Sequence, residues 1–111
     1  MKLDESFDVR TVGSDDRFEL RGELDMATVR HFLDAVQPAI ESARDVTLDL
    51  SRLTFMDSTG ISGLFEVGRH AAARGTAVIV RTPSPPVLRV LEIVRADRFA
   101  GIGIEIPPSA A

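Results

Sequence analysis

The sequence predicts one α/β domain: an N-terminal β-hairpin, then alternating helices and strands, with the helices packed against a mixed, largely parallel central sheet. Three observations lead there. Two short segments of alternating apolar residues flank a Gly-Ser-Asp-Asp turn near the start of the chain. Beyond them, runs at helical spacing alternate with β-type runs, giving the order β-β-α-β-α-β-α-β. No internal repeat or low-complexity linker interrupts that order.

The elements follow in turn. Residues 5–12 and 17–22 read as strands, because Phe7 and Val9, then Phe18 and Leu20, alternate with polar neighbours, and residues 13–16 carry turn chemistry. Val29, Phe32, Leu33, Val36 and Ile40 recur at helical spacing over residues 28–43. Pro38 falls inside that pattern and predicts a kink or an end there. Val46, Leu48 and Leu50 alternate with Thr47, Asp49 and Ser51 in an extended segment that runs to Leu53. Ile61, Leu64, Phe65, Gly68 and Ala72 form the apolar stripe of a second helix, which Gly75 is placed to end. Residues 77–80 are continuously apolar, the mark of a strand buried on both faces. Ser84-Pro85-Pro86 opens a third helix with Val87, Leu88, Leu91 and Val94 on its apolar side. Ile102, Ile104 and Ile106 alternate as a last strand, and residues 107–111 read as a frayed tail. Parallel neighbours joined through helices imply right-handed crossovers.

Composition narrows the function. With 111 residues there is room for one core, and 44% hydrophobic and 27% charged residues are ordinary globular values. The net charge of -4 and the scatter of arginines from Arg10 to Arg98 argue against a nucleic-acid platform. The absence of cysteine rules out a disulfide scaffold and a thiolate metal site. The N-terminus turns acidic at once, and no apolar run approaches the ~20 residues of a membrane span. These features predict a soluble cytoplasmic protein with no membrane segment. Catalytic chemistry is sparse. His31 and His70 both fall on polar helix faces outside any metal-ligand spacing, and no glycine pattern matches a phosphate cradle. The chain reads as a non-enzyme.

The most informative stretch is Thr54-Phe-Met-Asp57-Ser58-Thr59-Gly60, between the extended segment and the second helix. Two readings compete. Asp57 or Ser58 caps the helix by accepting from backbone N–H groups, worth about 1 kcal/mol. Alternatively, Ser58 is a phosphorylation site: a helix N-terminus tolerates the added negative charge, while a docked partner does not. Phe55 and Met56 read as core or loop anchors. Asp25 is placed to cap the first helix from Ala27 onward.

Taken together, these residues resemble the STAS domain family, and within it the small bacterial anti-sigma factor antagonists (anti-anti-sigma factors). The carrying pieces are Gly22-Glu-Leu-Asp25, the run from Val46 through Asp57-Ser-Thr-Gly-Ile61, and Gly75 to Val80 followed by Ser84-Pro-Pro-Val-Leu-Arg-Val-Leu91. The likeness spans residues 5–106 of a single domain over 1–111. It implies a partner-switching phosphoprotein of transcription regulation. The unmodified antagonist binds an anti-sigma factor that is also a serine kinase, freeing a sigma factor. The kinase then phosphorylates the motif serine, here Ser58, and a serine phosphatase reverses the step. Thr59 is a second, lesser acceptor. Asp25, Asp57, Ser58, Thr59, Gly60, Ser62 and Glu66 are the expected partner-binding residues, with Arg69 and His70 further along the same exposed side. No cofactor is implied, since ATP belongs to the partner; a weak homodimer stays open. Related domains also serve as constitutive scaffolds or as accessory modules of membrane transporters, which need no phosphorylation cycle.

Overall fold

A computed structural model describes residues 7–106. Strand β1 (Phe7–Val12) and strand β2 (Ser14–Leu24) form the hairpin, followed by helix α1 (Val29–Glu41), strand β3 (Val46–Met56), helix α2 (Ser58–Ala73), strand β4 (Val78–Arg81), helix α3 (Pro85–Ile93) and strand β5 (Ile102–Glu105). A single 3-10 turn, residues 96–98, precedes β5. The five strands stand in sequence order, with β1 and β2 antiparallel and every later pair parallel. The expected element order and mixed sheet are both present. The beginning of the first strand (residues 5 and 6) and the tail 107–111 lie outside the described residues.

The hairpin is tighter than the Gly-Ser-Asp-Asp turn predicts. Gly13 alone separates the strands, at φ +79°, and Ser14 already pairs with Val12. A residue without Cβ takes that left-handed conformation at little cost. Helix α1 runs through Pro38 to Glu41. Proline there forfeits one backbone hydrogen bond, but Ile40, just beyond it, is completely buried. Burying such a side chain is worth about 1.5–3 kcal/mol, which holds the last turn in place.

One core lies between the helices and one face of the sheet. Phe18, Leu48, Val80 and Ile104 stand in register across β2 to β5 on that face, and Phe32, Val36, Ile40, Leu64, Val67, Val87 and Leu91 close over the sheet from the helices. The other face carries Arg10, Glu19, Asp49, Arg81 and Glu105, an in-register row of charges across all five strands. Ion pairs lace it, Arg81–Glu105 at 3.2 Å and Arg52–Glu19 at 3.5 Å. Strand β4 is therefore one-sided, contrary to its continuously apolar sequence: Ile79 is half-buried, between Thr47 and Gly103.

Helix α2 is rotated from the expected stripe. Gly60, Gly63, Leu64, Val67, Gly68 and Ala71 are buried, whereas Ile61 and Phe65 are half-buried and Ala72 is exposed. The glycines set this rotation. A Cβ at Gly63 would lie 2.6 Å from Val29 Cγ2 of α1, so the two helices approach along the side that has no side chain.

Candidate functional site

The junction that displays Ser58 is built by β2 and β3. Strand β3 bulges twice against β2: its pairing shifts between Glu19 and Arg21, and again between Gly22 and Glu23. The alternation of Val46, Leu48 and Leu50 therefore gives way to burial at Leu53 and Met56. Met56 ends in the core, and Phe55 is turned outward at 47% exposure, so the core reading holds for Met56 and fails for Phe55. Met56 pairs with Leu24, and Asp57 N–H donates to Leu24 O at 3.3 Å. The loop after β2, which begins with Asp25, thus adjoins the start of α2.

Asp57 is the cap of α2. Its Oδ1 accepts from Thr59 N at 2.9 Å and Gly60 N at 3.0 Å, while its carbonyl accepts from Ile61 N at 2.9 Å. A helix opens with four N–H groups lacking partners inside the helix; those of Thr59 and Gly60 go to Asp57 Oδ1 and that of Asp57 to Leu24 O, which leaves the Ser58 N–H. Ser58 is exposed, and among the described residues its hydroxyl makes no hydrogen bond. Of the two sequence readings, the capping role belongs to Asp57. Ser58 is structurally uncommitted.

Gly60 lets α2 start this close to β2, since a Cβ there would sit 2.5 Å from Leu24 O. Thr59 is half-buried, Ser62 is exposed and Glu66 is half-buried along the same helix. Asp25 does not cap α1 as expected: the helix begins at Val29 with Thr28 at its N-cap and no side-chain cap bond. Asp25 Oδ1 instead holds the preceding turn, accepting from Ala27 N at 3.0 Å and lying 3.2 Å from Thr28 Oγ1. Thr28, 8% exposed, fixes that loop: its hydroxyl donates to Glu23 O at 2.8 Å and accepts from Asp25 N at 3.0 Å. Arg69 and His70 are exposed, but His70 Nδ1 is 2.8 Å from Gln37 Nε2 of α1, so His70 also ties the two helices together.

Two residues at this site escaped sequence reasoning. Met26, 76% exposed, follows Asp25, and Phe55 stands three residues before Ser58. Met26 carried a usable signal, as an apolar residue between strand and helix that fits neither periodicity. Phe55 did not, because its direction depends on the bulges. Among the described residues no group of acidic or histidine side chains could hold a metal ion, and no helix is long and apolar enough to cross a membrane.

The family model described as "Mlab, STAS domain" matches residues 7–104. The fold is also similar to solved structures. A putative anti-sigma factor antagonist of Thermotoga maritima matches with a TM-score of 0.71 at 22% identity, over 96% of this chain and 91% of that one. The anti-sigma factor antagonist SpoIIAA in its unphosphorylated form matches with 0.67 at 24% identity, over 94% and 91%. The phosphorylated form of Bacillus SpoIIAA matches with 0.62 at 23% identity, over 94% and 95%. The five-stranded sheet, its strand order and the matched family model together establish that this chain belongs to the STAS domain family.

Proposed function

We propose that the protein is an anti-sigma factor antagonist, a regulator that acts by docking rather than catalysis. In this reading its unmodified form binds an anti-sigma factor with serine-kinase activity, and phosphorylation of Ser58 releases that partner. A serine phosphatase restores the binding form. The observation that carries the reading is the exposed, uncommitted Ser58 hydroxyl beside a helix cap supplied wholly by Asp57. A modification there leaves the cap bonds in place. That SpoIIAA is known in both phosphorylated and unphosphorylated forms, each similar in fold to this chain, supports a fold that outlasts the modification.

The energetics separate fold from interface. A phosphate adds roughly 1.5 to 2 negative charges. Helix N-termini favour such charge by about 0.3–1 kcal/mol, but here the neighbouring Asp57 carboxylate already holds two of the N–H groups, so the local gain is small. An acidic partner group roughly 8 Å away is repelled by about 2 kcal/mol per unit charge at an effective dielectric near 20. Stripping water from the phosphate adds to that cost. In this reading the docking face comprises Asp25, Asp57, Thr59 and Gly60 with Ser62 and Glu66 further along α2, and Met26 and Phe55 supply its apolar contacts.

The test is incubation with the cognate serine kinase and ATP, with the site mapped by mass spectrometry. Phosphate on Ser58, with Thr59 as the lesser acceptor, is the expected result; its absence from both removes the switch. A second reading is a constitutive scaffold or transporter-accessory module that uses the same face without a phosphate cycle. The match over residues 7–104 to the Mlab STAS domain model is what favours it. Under that reading Ser58→Asp binds its partner as well as wild type, and the protein copurifies with a transporter ATPase rather than a kinase.

A further inference from the structure

The two edges of the sheet are built differently. Strand β1 is guarded in the way edge strands commonly are, with Asp8 and Arg10 paired at 3.8 Å and an irregularity at Thr11 and Val12. Strand β5 reads Ile102-Gly103-Ile104-Glu105, pairs with β4 without the irregularity seen at β1, and has its one charge, Glu105, engaged by Arg81 of β4 at 3.2 Å. Its backbone is half satisfied. Val78 N donates to Gly101 O at 2.7 Å and Thr82 N to Glu105 O at 2.9 Å, so the odd-numbered residues face β4. By alternation, Ile102, Ile104 and Ile106 aim their N–H and C=O groups at the open edge. Among the described residues, the Ile102 N–H alone of these is engaged, by Phe99 O at 3.1 Å. Beside this edge lies a groove of about 440 Å³ between α3 and β5, floored by Leu88, Leu91, Ile104 and Ile106. Ile106 is 49% exposed. The rim holds Glu92, Arg95, Asp97 and Arg98, all exposed, and none of the four forms an ion pair among the described residues.

We propose that this edge is a homodimer interface, with β5 of a second copy pairing antiparallel to β5 to give a continuous ten-stranded sheet. A two-fold interface must be complementary to itself. The rim meets that requirement, with two arginines and two acids that lack partners within one copy. The backbone meets it too. Centred on Ile104, the two-fold sets Ile104 against its own copy as a doubly hydrogen-bonded pair and Ile102 against Ile106. The isoleucines then share one face and cover Ile106. On the other face Glu105 opposes Gly103, which keeps the two carboxylates from facing each other. Strand β5 stands two strands away from β3, so the α2 start stays open and the dimer presents two Ser58 sites. The proposal is independent of whether Ser58 is modified.

Sedimentation velocity of the full chain from micromolar to millimolar concentration tests it, with amide hydrogen exchange as a second readout. Wild type should pass from monomer to dimer, and the Ile104 and Ile106 amides should slow in exchange with concentration while those of β1 do not. Ile106→Lys should keep the wild-type melting curve and raise the dimer dissociation constant about tenfold or more, the loss of roughly one buried side chain's worth of contact. A monomer over the whole range overturns the proposal, as does Ile106→Lys dimerising like wild type. Protection of the Ile104 amide only after a foreign protein is added also overturns it, assigning the edge to that protein's strand.

Discussion

Asp57 and Ser58 are neighbours of similar capping aptitude, and the structure gives them separate tasks that two substitutions distinguish. Asp57→Ala removes the acceptor of Thr59 N and Gly60 N together. Loss of an N-cap side chain costs about 0.5–2 kcal/mol. Two bonds and a charge at the positive end of α2 place this one in the upper half, near 1.5–2 kcal/mol. For a domain of this size each kcal/mol moves the melting temperature by about 4–8 °C. Asp57→Ala should therefore melt roughly 6–16 °C below wild type, with a matching fall in urea midpoint at unchanged m. Ser58→Ala deletes a hydroxyl with no partner among the described residues and should stay within about 0.5 kcal/mol of wild type. Asp57→Asn keeps an acceptor oxygen and should fall between the two. Equal losses for Ser58→Ala and Asp57→Ala in urea titrations would refute this division of labour.

Further outcomes follow from other contacts. Gly60→Ala gains about 0.5–1 kcal/mol of helix preference but drives a Cβ to 2.5 Å from the Leu24 carbonyl oxygen, which is backbone and cannot swing aside. The overpacking cost of about 1–3 kcal/mol should win, giving net destabilisation by calorimetry. Thr28→Val keeps the shape but strips partners from Glu23 O and Asp25 N in a buried spot, so about 1–3 kcal/mol should be lost in chemical denaturation. Ser58→Asp should weaken binding to the anti-sigma kinase at least tenfold by titration calorimetry, about 1.4 kcal/mol, with the melting temperature nearly unchanged. Met26→Ala and Phe55→Ala should each reduce partner affinity while sparing stability, because both side chains already face water; unaltered affinity in both would move the docking face elsewhere.

Much of this was legible in the residues, and the exceptions have physical causes. The element order could be read because each helix and strand buries one side, and periodicity reports burial. The path of β3 past Leu50 could not. Its two bulges are pairing events with β2, and they alone decide that Leu53 and Met56 turn inward and Phe55 outward. The rotation of α2 was hidden because glycine gives an apolar stripe little signal: Gly68 was read in it, but Gly60 and Gly63, on the closely packed side, were not. The apolar run at β4 suggested two covered faces, yet all three helices contribute to a core on a single side. At the site, residue types narrowed the helix cap to Asp57 or Ser58. Only the geometry chose between them, and that choice frees the serine.

The row from Arg10 to Glu105 has a consequence for how this chain can change. Its members rest on water and on one another, so exchanging them perturbs exposed charge pairs worth little individually. On β2, β3 and β4 their neighbours one position along, Phe18, Leu48 and Val80 among them, are sealed in. Saturation mutagenesis scored for folding should thus yield a striped map, permissive and intolerant positions trading places along β2, β3 and β4. The permissive stripe is where sequence drift could rewrite surface charge without disturbing the packed layer behind it.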